Sequence, residues 1–189
     1  TEALALQEVP ERLVVVGGGA IGLEMGSVWA RLGSEVLVVE FMDQILPGMD
    51  REMAGQLGRL LKRQGVECRL GASAQGMQVK DGKVKLTVAV GDKESIESCD
   101  RVLVAVGRRP YSAGLGLADV GVEVNERGQV VVDEHFHSNV EGIWAIGDLI
   151  PGPMLAHTAE VEGVAAVERM AGSAGQVNYD AMPAVVYTH

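Results

Sequence analysis

The sequence is poor in aromatic residues, in cysteine and in long apolar runs. Phe, Trp and Tyr make up 4% of the 189 residues, and the two cysteines are Cys68 and Cys99. The cysteines form no C-x-x-C pair, so the sequence favours two unpaired thiols in a reducing compartment over a redox couple. No apolar run reaches the roughly 20 residues of a membrane-spanning helix. We therefore expect no membrane span.

Basic residues are also scarce, with 16 Lys and Arg against 26 Asp and Glu and a net charge of −10. A nucleic-acid surface needs clustered cations, so we expect no nucleic-acid partner. No metal site is expected either. His135 and His137 flank Phe136 and would share a face if this segment were a strand, but two ligands without a third nearby do not make a zinc site.

Glycine, by contrast, is abundant, with 25 residues. A spaced group of them connects an apolar segment, residues 13–16, to a segment with helical periodicity that begins near residue 20. Strand, G-x-G-x-x-G turn and helix in this order are typical of a dinucleotide-binding unit. We therefore predict that a dinucleotide contacts the turn, which consists of Gly17, Gly18, Gly19, Ala20, Ile21 and Gly22.

Three glycines of the turn have separate expected roles, and each role requires the missing Cβ. Gly17 permits the tight turn out of the strand, Gly19 lets the pyrophosphate approach the backbone, and Gly22 lets the helix pack closely on the sheet. Free N–H groups at the helix start would hold the pyrophosphate without a basic side chain. We expect Gly33 to end the helix. The predicted buried face carries Ile21, Met25, Val28, Trp29 and Leu32.

Glu40 closes the second predicted strand, residues 36–40. A carboxylate at this place accepts hydrogen bonds from the adenosine ribose hydroxyls and repels a 2′-phosphate. No arginine follows Glu40 before Arg51. The sequence therefore favours NAD over NADP. The alternative is a glycine-rich turn with an incidental acid, which the strand and helix around the turn make less favourable.

The following segments predict an α/β fold with a Rossmann-like parallel sheet. A helix is expected from Asp50, as its N-cap, to Gly65, and a short strand at 66–70 follows. The order strand, helix, strand, helix, strand predicts parallel pairing with right-handed crossovers. The expected apolar face of this second helix carries Met53, Leu57, Leu60 and Leu61.

The pattern changes at residues 76–99, where apolar and polar residues alternate around turn pairs at 81–82 and 91–92. This predicts an antiparallel insertion that covers one face of the parallel sheet. A further buried strand is expected at 101–107. Its final residue, Gly107, is expected beside the ligand crevice, where it would let the cofactor pass close.

Two more polar features follow. Arg108 and Arg109 would bind phosphate or, as the commoner alternative, form ion pairs with nearby acids in a solvated loop. Residues 143–148 predict an apolar strand that ends in Asp148, an acceptor for a polyol or sugar hydroxyl. A helix is expected over 155–171, and its first N–H groups are suited to an anionic ring or a carbonyl.

Five segments together resemble the dihydrolipoamide dehydrogenase branch of the flavin-dependent disulfide reductases. The resemblance runs essentially end to end. Several segments are shared with glutathione reductase and related enzymes, whereas GPMLAH and the NAD-type Glu40 are similar to the lipoamide branch. The segments are GGGAIGLE at 17–24, VGRRP at 106–110, GIWAIGD at 142–148, GPMLAH at 152–157 and VNYDAMPAVVYTH at 177–189.

The resemblance implies the central part of a flavoprotein that oxidises dihydrolipoyl groups and passes electrons through a cysteine pair and FAD to NAD. It implies three segments in this chain. Residues 1–120, with a core from about 10 to 120, would form the NAD-binding domain. Residues 121–176 would be a returning part of the FAD-binding domain, and residues 177–189 the start of a dimerisation domain.

The resemblance also implies cofactor contacts beyond the turn. Leu23, Glu24 and Ala74 would join the NAD site, with Glu24 near the nicotinamide and the flavin. The alternative for Glu24 is an exposed first-turn acid stabilised by the helix dipole. Asp148 would bind the ribityl hydroxyls of FAD. Thr158 replaces a lysine of the family, and we expect little consequence. The flavin side would be completed by Met154, Leu155, Ala156 and His157.

The chain departs from the family pattern in its redox groups. No FAD glycine motif precedes residue 1, no C-x-x-x-x-C disulfide is present, and His189 is not a counterpart of the family's catalytic histidine. We therefore expect a fragment that binds NAD without catalysing the disulfide reaction. The alternatives are a non-catalytic dinucleotide-binding or interaction module and a fragment of another NAD-linked flavin or mercuric-type reductase.

For the parent enzyme, the resemblance implies a homodimer that serves the dihydrolipoyl domain of a 2-oxo-acid dehydrogenase or glycine-cleavage complex. The implied compartment is a bacterial cytoplasm or a mitochondrial matrix.

Overall fold

A computed structural model describes residues 2–188 and shows a mixed α/β protein. His189, discussed above, lies outside the described residues. Short 3-10 turns occur at Glu2–Leu4, Gly147–Leu149 and Tyr179–Ala181. The strands and helices are β1 (Arg12–Val16), α1 (Ala20–Arg31), β2 (Glu35–Val39), α2 (Arg51–Arg63), β3 (Val66–Arg69), β4 (Ala72–Lys80), β5 (Lys83–Val90), β6 (Lys93–Cys99), β7 (Arg101–Val104) and α3 (Ala156–Met170).

The chain forms two compact units. One contains residues 1–107 and 185–189, and the other contains residues 108–184. The break at 107 comes before the predicted boundary at 120, and the assignment of the segments to cofactor domains stays a prediction. Among residues 2–188, no helix combines the length and the apolar composition that crossing a bilayer requires.

The first unit is built on a four-stranded sheet in the order β3-β2-β1-β7. All three strand pairs are parallel, with Leu13 beside Val36 and Val14 beside Val102. The middle residues of β1 and β2 are apolar and buried, as expected where both faces of a parallel sheet are covered. The predicted Rossmann-like sheet is therefore confirmed.

The buried face of α1 differs from the predicted one. Ile21 and Leu32 are 51% and 56% exposed, so the prediction was wrong for these two residues. Small residues decide the orientation, since a Cβ on Gly26 would already lie 3.4 Å from Val36 Cγ1. The helix approaches the sheet along this face, which contains Gly22, Leu23, Gly26, Ser27 and Trp29. Gly33, with a φ of +111°, follows the last helical turn as predicted.

The ends of α2 agree with the sequence, whereas its apolar face is narrower. The Asp50 carboxylate accepts a hydrogen bond from the Met53 N–H at 2.9 Å, and Gly65 has a φ of +86° just after the helix. Met53 and Leu60 are 62% and 50% exposed, so placing them on the buried face was wrong. α2 packs on the sheet through a narrow stripe, Ala54, Leu57 and Leu61.

The antiparallel sheet has the order β4-β5-β6 and begins at Ala72, earlier than the predicted start at residue 76. β4 includes Ala72 because the Ala72 side chain is buried and its N–H donates a hydrogen bond to the Glu40 carbonyl at 2.9 Å. The sheet covers one face of the parallel sheet, as predicted. The residues that pack together there are Val14, Leu37 and Val39 against Ala72, Val84, Leu86, Val88 and Cys99.

A charged cluster joins the two sheets. Glu97 of β6 is 8% exposed and pairs with Arg12 of β1 at 2.9 Å and with Arg69 of β3 at 2.6 Å. The Arg69 hydrogen bond is the main cause that holds the pKa of Glu97 below its usual range. None of these three residues stands out in the sequence patterns.

β7 lies at the edge of the sheet and is not the buried strand that the sequence predicted. It pairs only with β1, and Val104 and Val106 are 67% and 71% exposed. An apolar run cannot distinguish a central strand from an edge strand, because the difference is the presence of a neighbour.

In the second unit, α3 agrees with the predicted helix. The predicted strand at 143–148 was wrong, because Trp144 makes a single bridge with His137 and residues 147–149 form a 3-10 turn. The segment around His135 and His137 is not an extended strand either, since Phe136 between them has a φ of +70°. The apolar residues of both segments pack instead around Ile150, Ala165 and Ala166. They are Phe136, Trp144, Ala145 and Ile146.

Candidate dinucleotide-binding site

The glycine turn between β1 and α1 depends on two residues for internal reasons. Gly17 has a φ of +108°, and a Cβ there would lie 2.4 Å from the Ala105 carbonyl oxygen. A Cβ on Gly22 would lie 2.1 Å from the Gly17 carbonyl oxygen. Both glycines are therefore required by the fold, in the roles of tight turn and close helix packing that the sequence predicted.

Gly19 is different, because nothing lies within 4 Å of the position that its Cβ would take. It is the N-cap of α1, and no side chain caps the helix. The amino end of α1 thus combines uncapped N–H groups, the positive end of the helix dipole and open space. These are the features that fit a pyrophosphate.

Glu40 follows β2 directly and is 6% exposed. Its Oε2 accepts a hydrogen bond from the Gly18 N–H at 2.5 Å, and its Oε1 accepts one from the Met42 N–H at 2.8 Å. Each carboxylate oxygen keeps a second lone pair. The carboxylate is therefore fixed by backbone groups and can still accept hydrogen bonds from a ligand.

The structure gives Gly18 a specific role that the sequence analysis did not find. A Cβ at this position would lie 3.1 Å from both the Cβ and the Oε2 of Glu40. Gly18 thus makes room for the Glu40 carboxylate and donates to it. The sequence sign of this role was the glycine at position 18, since the pattern G-x-G-x-x-G allows any residue there.

Glu24 is half-buried in the second turn of α1. Its Oε1 accepts a hydrogen bond from the Tyr187 N–H at 2.8 Å. The alternative of an exposed first-turn acid was wrong, because no acidic residue lies in the first turn. The hydrogen bond fixes the carboxylate next to the segment around residue 187.

Of the remaining predicted NAD contacts, Ala74 and Gly107 are solvent-accessible, whereas Leu23 is 1% exposed and packs in the core, so the prediction of a side-chain contact was wrong for Leu23. Ala74 is exposed beside a β-bulge in β4, and Gly107 has a φ of +117° with open space around it. Phe41 and Met42 follow Glu40 and are 75% and 46% exposed. Contact of any of these exposed residues with a cofactor stays a prediction.

The predicted FAD residues lie in the second unit. Asp148 is in the 3-10 turn, and its carboxylate forms an ion pair with Arg108. This is the ion-pair alternative foreseen for the arginines. Leu155 is the N-cap of α3, and no side chain caps that helix. The free amino end and the accessible carboxylate suit part of a flavin site, provided that Asp148 exchanges Arg108 for a ligand hydroxyl.

Glu162 and Tyr179 support the turn that carries Asp148, and the sequence analysis missed both. Glu162 is 1% exposed and accepts hydrogen bonds from the Gly147 N–H at 2.6 Å and the Tyr179 hydroxyl at 2.8 Å. Burial and this bond raise the pKa of Tyr179 to about 12. An acid beside small apolar residues in α3 was the only sign in the sequence.

Two buried polar atoms at the start of α3 have no hydrogen-bond partner among residues 2–188: His157 Nε2 and Thr158 Oγ1. Thr158 is fully buried, at 0% exposed.

The cysteines are not redox partners in this structure. Cys68 is half-buried, Cys99 is buried, and both are free thiols. Burial raises the pKa of Cys68 to about 11 and also raises the pKa of Cys99. Both thiols therefore stay protonated at neutral pH. Within the described part of the chain, no group of three metal-ligating side chains occurs.

The parallel sheet, the glycine turn and the fixed acid after β2 define the class of dinucleotide-binding α/β proteins. The sequence matches the family model described as pyridine nucleotide-disulphide oxidoreductase over residues 1–163, and the chain belongs to this family.

Curated relatives match the whole chain. Dihydrolipoyl dehydrogenase of Pisum sativum mitochondria is 52% identical, and the chain covers 38% of its length. Leghemoglobin reductase of Glycine max is 51% identical with 36% covered, and dihydrolipoyl dehydrogenase of Trypanosoma brucei brucei is 51% identical with 40% covered. The chain thus spans about two-fifths of the length of these relatives.

Solved structures show the same fold. The copper complex of the HOCl-induced flavoprotein disulfide reductase RclA from Escherichia coli has a TM-score of 0.84 and 31% identity, over 95% of this chain and 40% of that chain. LpdA from Mycobacterium tuberculosis has a TM-score of 0.82 and 28% identity, over 92% and 37%. The combination of parallel and antiparallel sheets is therefore that of the flavoprotein disulfide reductases.

Proposed function

We propose that this chain is the NAD-binding segment of a dihydrolipoyl dehydrogenase, together with part of its FAD site. Family membership and whole-chain relatives of that name support the proposal. In the complete enzyme, FAD relays electrons from a dithiol to NAD. The chain itself contributes cofactor binding, since its two thiols are separate and protonated.

The Glu40 carboxylate is the observation that carries the NAD assignment. It is buried, fixed by two backbone N–H groups, and adjacent to the amino end of α1 through Gly18. A fixed negative charge there accepts hydrogen bonds from the 2′- and 3′-hydroxyls of the ribose. It repels the additional phosphate of NADP, so NAD is the favoured dinucleotide.

Several predicted site residues then have defined tasks. The N–H groups at the start of α1 hold the pyrophosphate, and Glu24 lies near the nicotinamide. In the second unit, Asp148 would accept hydrogen bonds from the ribityl hydroxyls, and the backbone at Met154, Leu155 and Ala156 would face the flavin pyrimidine ring. Glu162 holds the Gly147 N–H and so fixes the residue next to Asp148.

The proposal extends to the partners and the compartment of the complete enzyme. A dihydrolipoyl dehydrogenase accepts electrons from the dihydrolipoyl domain of a 2-oxo-acid dehydrogenase or glycine-cleavage complex and acts as a homodimer. Relatives from Pisum sativum and Arabidopsis thaliana are mitochondrial. We therefore assign the complete enzyme to a mitochondrial matrix or, for a bacterial source, to the cytoplasm.

Calorimetric titration of the 189-residue chain with NADH and NADPH tests the proposal. We expect binding of NADH, at least about tenfold weaker binding of NADPH, and loss of this preference in Glu40→Ala. Circular dichroism of the same samples verifies folding. A folded chain that binds neither nucleotide would contradict the proposal and favour a non-catalytic module.

A second candidate keeps the cofactors and changes the electron acceptor. Relatives named leghemoglobin reductase are 51% and 53% identical over the whole chain, as similar as those named dihydrolipoyl dehydrogenase. Reduction of NAD by dihydrolipoamide, measured with the full-length enzyme beside reduction of ferric leghemoglobin by NADH, distinguishes the two candidates.

A further inference from the structure

A groove on the first unit lies outside the predicted NAD site. It is a cavity of about 760 Å³ between α2, the loop after β2 and β3. Its apolar wall includes Ile45, Ala54 and Val66, all buried in the core. We call it the α2 groove. The α2 residues that line it are Arg51, Ala54, Gly55, Gly58, Arg59 and Lys62.

The α2 groove is positively charged although the chain as a whole is acidic. α2 carries four cations and one acid, whereas the chain has a net charge of −10. The two acids that line the groove are neutralised, since Asp43 pairs with Arg51 and Glu67 pairs with Arg69. Within residues 2–188, neither Arg59 nor Lys62 has a carboxylate partner. The groove therefore offers two free cations.

Two glycines of α2 leave the groove open, although the packing of the chain does not require glycine at either position. Gly55 and Gly58 lie in the middle of α2, where glycine is less stable than alanine. A Cβ on Gly58 would lie 3.7 Å from Ile45 Cδ1, and one on Gly55 would lie 3.9 Å from an Arg59 nitrogen, both ordinary contacts. Alanine would fit at either position, so the packing of this chain does not require the open helix surface.

We propose that the α2 groove binds an acidic peptide segment of a partner protein. Apolar side chains of the segment would contact the wall, and its carboxylates would pair with Arg59 and Lys62 at the rim. The lining residues run from Arg51 to Lys62, which is about 16 Å along the helix axis. That length matches about five residues of extended peptide and exceeds a compact anion.

Fluorescence anisotropy with a labelled acidic peptide, ELEELE, tests the proposal. Binding is expected at about 0.1 M salt and should weaken at about 1 M salt, where the Debye length falls from about 10 Å to about 3 Å. The lysine counterpart, KLKKLK, should not bind. Absence of ELEELE binding by the folded chain at low salt overturns the proposal.

Charge reversal locates the peptide. The variant Arg59→Glu/Lys62→Glu should bind ELEELE at least about tenfold more weakly. The matched control is Lys85→Glu/Lys93→Glu, which changes the net charge equally on the exposed antiparallel sheet. Equal weakening in both variants would mean a general charge effect and would overturn the assignment to the groove.

Filling the α2 groove with methyl groups should change two measured quantities in opposite directions, raising Tm and lowering peptide affinity. Gly55→Ala/Gly58→Ala should raise Tm by about 2–4 °C per substitution, because alanine stabilises a helix. The same variant should bind the peptide at least about fivefold more weakly, because the methyl groups occupy the groove. A raised Tm with unchanged peptide binding contradicts the proposal.

A second copy of the acidic chain is the alternative occupant. Sedimentation velocity of the chain alone, and of Arg59→Glu/Lys62→Glu, examines it. We expect the same sedimentation for both. Self-association that charge reversal abolishes would assign the groove to a second copy and overturn the peptide proposal. NADH should leave peptide affinity unchanged, since the α2 groove does not include the glycine turn.

Discussion

Two carboxylates, one at each predicted cofactor site, are held in opposite ways. Glu40 is 6% exposed and bonded to two backbone N–H groups. The Asp148 side chain is 33% exposed and pairs with the side chain of Arg108. Backbone groups of a turn cannot rotate away from a carboxylate, whereas an arginine side chain can. The acid of the predicted NAD site is therefore part of the fold, and the acid of the predicted FAD site can exchange its partner.

The same contrast separates glycines within the turn. Gly17 and Gly22 have no room for a Cβ, whereas Gly19 faces open space. Gly17 and Gly22 are therefore required for folding, whereas Gly19 leaves space that the predicted pyrophosphate would occupy. Substitutions that affect folding and binding separately are the direct way to test these comparisons.

The largest effect is expected from Gly22→Ala. Its methyl group would lie 2.1 Å from the Gly17 carbonyl oxygen, so we expect a loss of about 3 kcal/mol or more in the free energy of unfolding. Urea denaturation measures it. Gly19→Ala is the matched control, with a stability change below about 1 kcal/mol but at least about tenfold weaker NADH binding. Equal destabilisation by both variants would contradict the division of roles.

The two carboxylates should differ in their effect on stability. Glu40→Ala leaves the buried Gly18 N–H and the partly buried Met42 N–H without acceptors and should cost about 1–3 kcal/mol. Asp148→Ala removes an exposed ion pair and should cost less than about 1 kcal/mol. Thermal and urea unfolding of both variants provide the comparison. If Asp148→Ala is the more destabilising, its site is also part of the fold.

Tyr179 gives the second unit a pH dependence at the alkaline end. Its folded pKa of about 12 lies above the ordinary value of 10.0, so the folded state binds the proton more tightly. The stabilisation is fully present below pH about 10 and is lost as the pH rises through about 12. The difference in unfolding free energy between the chain and Tyr179→Phe should therefore shrink over this range. A constant difference would contradict the buried Glu162 contact.

Glu97 gives the first unit a smaller pH dependence at the acid end. Its folded pKa is lowered, first by the Arg69 hydrogen bond, from the ordinary value of 4.5. The stabilisation is therefore present above that value and is lost as the pH falls through the folded pKa. Glu97→Gln should be less stable than the chain at neutral pH and should lose less stability on acidification, as measured by urea denaturation in acid and neutral buffers.

Much of the first unit could be predicted from the sequence. Gly17, Gly33, Asp50 and Gly65 mark turns and helix ends through their own backbone preferences, and the structure has them there. The alternation after residue 76 predicted the antiparallel sheet for the same reason. These patterns are local, so a single segment contains the necessary information.

The errors have a common cause, which is that burial depends on neighbours distant in sequence. The face of α1 is set by contacts of Gly22 and Gly26 with the sheet, not by its largest apolar residues. β7 is exposed because, within residues 2–188, no strand adds to its outer edge. Residues 143–148 are apolar because they pack on α3, although they form no strand.

The sequence by itself determined the order of strands and helices in the first unit, the glycine turn and the acid that follows β2, because each depends on the preferences of adjacent residues. The tertiary structure decided which groups form the hydrogen bonds that hold Glu40 and the turn that carries Asp148. Gly18 is 22 residues from Glu40, and Glu162 is 15 residues from Gly147. Hydrogen bonds between such residues need the folded backbone to bring donor and acceptor within 3 Å or so, and only the fold supplies that proximity.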